Sequence, residues 1–113
     1  MEHDERPWGE YWVLEDTEHY KVKRIQVNPG GRLSLQYHHK RGEVWTIVSG
    51  VGTITIDNDI RDYKTGEVAQ IHQGAHHRIE NKTKEPVVFI EVQYGTYFGE
   101  DDIVRIEDDY NRI

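Results

Sequence analysis

The sequence predicts an all-β fold, a barrel or sandwich of short strands with the jelly roll among the candidates. Two observations carry that expectation. Short β-compatible runs recur at regular spacing along most of the chain, and turn signals rich in Gly, Asn, Asp and Pro separate them. With 113 residues the chain is expected to form one domain with a modest core. Hydrophobic residues make up only 35%, so that core must lean on three Trp, seven Tyr and two Phe.

The first run, "YKVKRIQV" (20–27), stops at Asn28-Pro29-Gly30-Gly31, a strong turn signal. "LSLQYH" (33–38) then alternates, with Leu33, Leu35 and Tyr37 on one face and Ser34, Gln36 and His38 on the other. "EVWTIVS" (43–49) is closed by Gly50-Val51-Gly52. "TITI" (53–56) meets Asp57-Asn58-Asp59, a plausible hairpin turn before "IRDY". Lys64-Thr65-Gly66 is a turn, "EVAQI" (67–71) a strand and Gln73-Gly74-Ala75 a loop. "HHRIEN" (76–81) and "VVFIEVQYG" (87–95) complete the β runs, the second being the most β-like in the chain. Only the tail, "GEDDIVRIEDDYNRI", could hold a helical turn.

Charge and composition exclude several classes of function. The formal charge is −7, from 21 acidic and 14 basic residues, which argues against wrapping around nucleic acid. No apolar run is long enough to span a membrane, and "MEHDERPWGEYW" lacks the basic start and apolar run of a signal peptide. The absence of cysteine excludes disulfides and thiolate metal sites. A cytoplasmic protein with no nucleic-acid or membrane partner is therefore expected.

Seven histidines is a high count for this length, and they cluster at His38-His39 and at His72, His76 and His77. His3 and His19 read as solvated surface residues. Gln36 and His38 share a strand face, Glu43 begins the next strand after a short turn, and His77 follows a glycine loop. Together they offer an amide oxygen, two imidazole nitrogens and a carboxylate, donors suited to Zn²⁺, Mn²⁺ or Fe²⁺. Taken singly, each is as well explained as a polar residue on a solvated face. As a set they are candidate metal ligands.

The spacing of that set resembles the two motifs of the cupin superfamily. Gly30 is followed by five residues, Gln36, one residue, His38, four residues, Glu43, six residues and Gly50. Every interval fits the first cupin motif, with Gln36 in place of its first histidine. Gly66, His72, Gly74, His77 and Asn81 reproduce the second, with His72 where proline is usual. The resemblance implies a cupin double-stranded β-helix, a small jelly-roll barrel.

A narrower resemblance covers nearly the whole chain. "RPWGEY", "YKVKRIQVNPGGRLSLQYHHKRGEVW", "HHRIEN" and "IEVQYGTYFGEDDIVRIEDDY" are similar to the type II phosphomannose isomerase (mannose-6-phosphate isomerase) domain. In that family the domain usually follows a mannose-1-phosphate guanylyltransferase. Here the resemblance is to the isomerase part standing alone, one domain over 1–113. Its β core would run over about 20–99, with the N-terminal arm and acidic C-terminal tail packing on the barrel. The resemblance implies a divalent metal, zinc first and Mn, Fe, Co or Ni as alternatives, held by Gln36, His38, Glu43 and His77. The tail, otherwise a solvated acidic run, would pack across the barrel and order a nearby arginine. The family usually reads Glu-His-Trp where this chain has Glu43-Val44-Trp45. If the family's histidine touches sugar, valine in its place would change the substrate.

The implied reaction interconverts mannose 6-phosphate and fructose 6-phosphate through an enediolate, which needs a base within reach of a carbon-bound proton. Glu91 is one candidate, since Phe89, Glu91 and Gln93 share a strand face. It reads equally well as the partner of a basic residue in the barrel. His39 is the second candidate, although parity points it away from His38. Arg32, Arg41 and Arg78 are the expected phosphate-binding cations, and Gln93 joins them as a substrate-binding candidate. Parity turns Arg78 away from His77 unless the strand bends. Lys23 and Arg24 read as solvated or paired with the acidic tail. Two rivals stand beside the isomerase. One is a non-catalytic sugar- or sugar-phosphate-binding cupin partnering a separate guanylyltransferase. The other is another metal cupin such as an oxygenase, against which Gln36 counts. A homodimer is expected from the resemblance, as β edges need covering.

Overall fold

The structure is a computed structural model that describes residues 2–110; residue 1 and the last three residues of the acidic tail lie outside the described part. Among the described residues all regular structure is β, arranged as two facing antiparallel sheets. The larger sheet contains β1 (Glu2–Arg6), β2 (Gly9–Asp16), β3 (Tyr20–Val27), β10 (Val87–Gly95), β5 (Arg41–Ser49) and β8 (Val68–Ile71), hydrogen-bonded in that order. The smaller runs β11 (Val104–Glu107), β4 (Leu35–Tyr37), β9 (His77–Glu80), β6 (Gly52–Ile56) and β7 (Asp59–Tyr63). Among the described residues no helix is long and apolar enough to cross a membrane.

Strand alternation decides what each sheet turns inward. In the larger sheet the register aligns inward side chains into rows. Tyr11, Ile25, Phe89 and Ile47 make one row. Val13, Lys23, Glu91, Trp45 and Ala69 make the next. Lys21, Gln93, Glu43 and Ile71 make the one beyond. The barrel is thus apolar at one end and becomes polar toward the other. Trp45, Phe89, Ile47, Ile54, Ile71 and Ile79 are fully buried, and each contributes about 1.5–3 kcal/mol by leaving water. That apolar end anchors the strands whose other ends carry the charged groups.

Three segments depart from the local pattern. The run expected over 33–38 contracts to the three residues of β4, which meets β9 only at Gln36 and His77. Leu33 N–H instead donates to Ile79 O, so the β4–β9 seam is held by one strand pairing and this bond. The tail forms β11, a strand rather than a helical turn, and covers the other edge of β4, satisfying backbone groups that an open edge would leave unpaired. The N-terminal segment forms β1 and β2, which extend the larger sheet and bury Trp8 and Tyr11.

Gly50 closes β5 with φ +84°, and a Cβ there would meet Pro86 O at 2.5 Å. Gly50→Ala is therefore expected to destabilise the fold by about 2 kcal/mol or more, from left-handed backbone strain plus the clash. The change should appear in urea unfolding as a lower midpoint at unchanged slope.

Candidate metal centre

The polar rows converge on one point. Glu43 on β5, His38 just past β4 and His77 at the start of β9 are all buried, at 1%, 2% and 2% exposure. One donor atom from each lies within 4.8 Å of the other two. His38 Nε2 sits 3.2 Å from Glu43 Oε2, and His77 Nε2 sits 3.9 Å from Glu43 Oε1. Tetrahedral ligands about 2.1 Å from an ion lie about 3.4 Å apart, and the two distances bracket that value. The three side chains could hold a metal ion.

Their orientation is set by neighbours. His38 Nδ1–H donates to Asp102 O at 2.8 Å, and His77 Nδ1–H donates to Ala75 O at 2.9 Å. A carbonyl only accepts, so each Nδ1 carries a proton and each Nε2, the atom that would ligate an ion, is turned toward Glu43. Glu43 Oε1 accepts from Trp45 Nε1–H at 2.8 Å, and Oε2 accepts from Arg41 Nε–H at 2.9 Å. Burial works to raise the Glu43 carboxyl, but the His38 contact, His77 and Arg41 outweigh it and hold it well below the ordinary carboxylate range. Burial lowers His77, keeping its imidazole neutral and able to donate a lone pair. The donor set of two imidazoles and an ionised carboxylate fits a borderline divalent ion. Arg41 Nη2 also lies 3.3 Å from His38 Nε2, so an ion would compete with this guanidinium for two of the donors.

Gln36 faces His77 directly across the β4–β9 seam and lines the same pocket as Glu43 and His77. Its Nε2 donates to Ser34 Oγ at 3.0 Å, leaving the amide oxygen for another partner. Glu91 and Gln93 lie on the inward face of β10, at 5% and 0% exposure, and Gln93 Nε2 donates to Glu91 Oε2 at 2.6 Å. Burial first, and Glu43 second, push the Glu91 carboxyl up to about 8 against the pull of Lys23 and Arg41. Both readings of Glu91 thus meet in one place, a carboxyl in the pocket and a neighbour of two cations.

The remaining candidates separate. Arg41 and Arg78 line the pocket, Arg41 through β5 alternation and Arg78 across the loose seam. Arg78 donates to Leu33 O at 3.0 Å and Glu107 at 3.1 Å, and its second amino group, 4.0 Å from Asp109, has no hydrogen-bond partner. Arg32 lies outside this pocket, paired with Asp109 and Glu80. The exposed His39 packs its ring edge-on to Tyr37 and does not enter the pocket. Lys23 is buried in the pocket and pairs with the tail through Glu100, while Arg24 stacks over Trp12 outside. Val44 takes the outward parity of β5, opposite Val92, so its side chain does not shape the pocket interior. His72 is exposed in a turn and accepts from Ala75 N–H through its carbonyl.

Sequence reasoning missed several contributors. Trp45 shares the parity of Glu43, a signal that was present in "EVW". Glu100, Asp102 and Arg105 come from the tail, whose acidic composition alone did not distinguish a solvated run from a packed one. Asp102 also accepts from the backbone N–H groups of His39 and Lys40, docking the tail on the β4–β5 turn.

Residues 2–108 match the family described as Mannose-6-phosphate isomerase C-terminal. The chain is 46% identical over 108 residues to the mannose-1-phosphate guanylyltransferase of Escherichia coli K12, covering 96% of this chain and 23% of that protein. It is also 46% identical over 107 residues to the xanthan biosynthesis protein XanB of Xanthomonas campestris pv. campestris strain B100, covering 95% and 23%. The chain thus spans about a quarter of the length of these relatives. A Klebsiella pneumoniae protein with a double-stranded β-helix domain superposes at TM-score 0.75 and 24% identity, over 85% of this chain and 82% of that one. The expected cupin double-stranded β-helix is the fold observed.

Two outcomes follow from this geometry. Trp45→Phe deletes the hydrogen bond that orients Glu43, and divalent-ion affinity is expected to fall about 10–100-fold, read by chelator competition. Glu91 has a folded-state value of about 8 against an ordinary 4.5. Its contribution to stability is therefore full below about 4.5 and is lost as pH rises through about 8. In chelator-treated protein, the stability of Glu91→Gln should not share this decline and should exceed that of the wild type above pH 8, measured by denaturant unfolding.

Proposed function

The chain belongs to the mannose-6-phosphate isomerase C-terminal family, and on that premise we propose that it is a metal-dependent sugar-phosphate isomerase interconverting mannose 6-phosphate and fructose 6-phosphate. The observation that carries this reading is that the buried Glu91 lines the same cationic pocket as Glu43 and His77 of the His38–Glu43–His77 cluster. Gln36 is the fourth ligand in this proposal. Zinc suits the set of two imidazoles, one carboxylate and one amide oxygen.

Aldose–ketose interconversion carries a proton between adjacent carbons by way of an enediolate. A bound divalent ion supplies Lewis-acid stabilisation of the negative charge that develops on oxygen. Glu91 is the group that carries the proton. A carboxylate with a value near 8 is a stronger base than an ordinary glutamate, and its protonated form can return the proton to the neighbouring carbon. Gln93 holds the carboxyl by its 2.6 Å hydrogen bond and has its own Oε1 buried without a partner, an acceptor for a sugar hydroxyl. Arg41 and Arg78 add positive charge for an anionic substrate.

The test pairs metal analysis with an isomerase assay on mannose 6-phosphate, comparing wild type with His38→Ala. Loss of a ligand should exceed the 10–100-fold effect of an outer partner, so activity is expected to fall by more than about 100-fold with loss of bound metal. Unchanged activity in the variant would refute the mechanism. Retained metal with no turnover on any hexose phosphate would favour the sugar-phosphate-binding module instead.

A further inference from the structure

The tail places one carboxylate inside the pocket that the isomerase chemistry leaves unexplained. Glu100, between β10 and β11, sets Oε1 2.6 Å from Lys23 Nζ and Oε2 3.8 Å from Arg41 Nη1. The two cations are buried, with side chains 6% and 4% exposed, whereas Glu100 is 41% exposed. Both cations are pinned by the barrel. Lys23 lies on β3 over the Tyr11 ring at 4.4 Å, and Arg41 is held on β5 by Glu43 and His38. Arg41 Nη1 is left aimed at Glu100 and has no hydrogen-bond partner. One carboxylate therefore satisfies Lys23 but not Arg41.

We propose that Lys23 and Arg41 form the subsite for the phosphoryl group of the substrate, and that Glu100 is a built-in competitor which that group displaces. The inference rests on the sugar-phosphate reading above and adds where the phosphate binds and what opposes it. A phosphoryl group carries three terminal oxygens on a wider frame than a carboxylate, so it can accept from the ammonium and the guanidinium together. Burial opposes the charge on Lys23, but Glu91 and Glu100 outweigh it and keep the ammonium charged. Burial likewise opposes ionisation of Glu100, and Lys23 outweighs it, so the occupant is an anion exchangeable for another anion. Space points the same way. The pocket holds about 100 Å³, against about 300–1,000 Å³ in ordinary ligand sites, and Glu100 is part of its lining. Withdrawal of this exposed side chain clears both room and positive charge at the same point. The exchange makes sugar phosphates, rather than free sugars, the ligands able to open the site, because only an anion can replace Glu100 without stranding two buried cations.

The test is calorimetric titration of the full chain with inorganic phosphate, in wild type and Glu100→Gln. Removing the competitor is expected to tighten phosphate binding by about tenfold, within the usual range for coupled sites. Lys23→Met placed in the Glu100→Gln background should abolish that gain. Unchanged or weaker binding in Glu100→Gln, or a gain that survives Lys23→Met, would overturn the proposal. Should the lysine variant not fold, the side-chain ammonium resonance of Lys23 in the wild type must shift on phosphate addition, and a static resonance would equally refute the subsite. Failure of turnover would count against the isomerase reading alone, while turnover with unaltered phosphate affinity in Glu100→Gln would count against this one alone.

Discussion

Burying the Glu43 carboxylate is the constraint around which this barrel is organised. An unpaired ion at that depth would cost several kcal/mol even after relaxation. Every group that touches it is therefore specified. Trp45 and Arg41 donate to its two oxygens, while His38 and His77 turn their Nε2 atoms to it. Those partners come from β5, the end of β4 and the start of β9. The carboxylate thereby ties the larger sheet to the smaller one at the polar end, where apolar packing gives out.

The same arrangement explains the contrasting carboxyls. Glu43 and Glu91 are both buried in one pocket, yet the first is held ionised and the second is raised to about 8. Glu43 accepts from Trp45 and the Arg41 guanidinium, and its negative charge then adds to the burial of Glu91. One pocket thus contains an ionised carboxylate beside a carboxyl raised mainly by burial, a contrast of the kind acid–base chemistry draws on. Glu100 adds a third case, an exposed carboxylate paired with the buried Lys23. The tail that carries it also braces the site, because Asp102 accepts from His38 through its carbonyl and from the β4–β5 turn through its side chain.

Much of the barrel could be read from short-range pattern. Strands β3, β5, β6, β7, β8, β9 and β10 fall within a residue or two of the β runs, because alternation and glycine turns are properties of a few consecutive residues. The inward parity of Glu91, Gln36 and His38 followed for the same reason. The β4 seam was not legible in the same way. Leu33 has the residue pattern of a strand, but its N–H is claimed by Ile79, a partner more than forty residues away. Nor could parity assign Arg78, whose neighbour His77 points inward, because the side chain reaches the pocket through that seam.

What the amino-acid order determined by itself is the set of strands, their inward faces and the presence of a Gln–His–Glu–His series at cupin spacing. Each depends on local backbone geometry and on residue chemistry. The tertiary structure alone decided that Arg41 contacts Glu43 and His38, that Arg32 stands outside the pocket, and that the acidic tail supplies Glu100 and Asp102 to the site. Those outcomes depend on how two sheets curve toward each other and where the chain end returns. Curvature and return are fixed by contacts between residues far apart in the chain, and no window of neighbouring residues contains them.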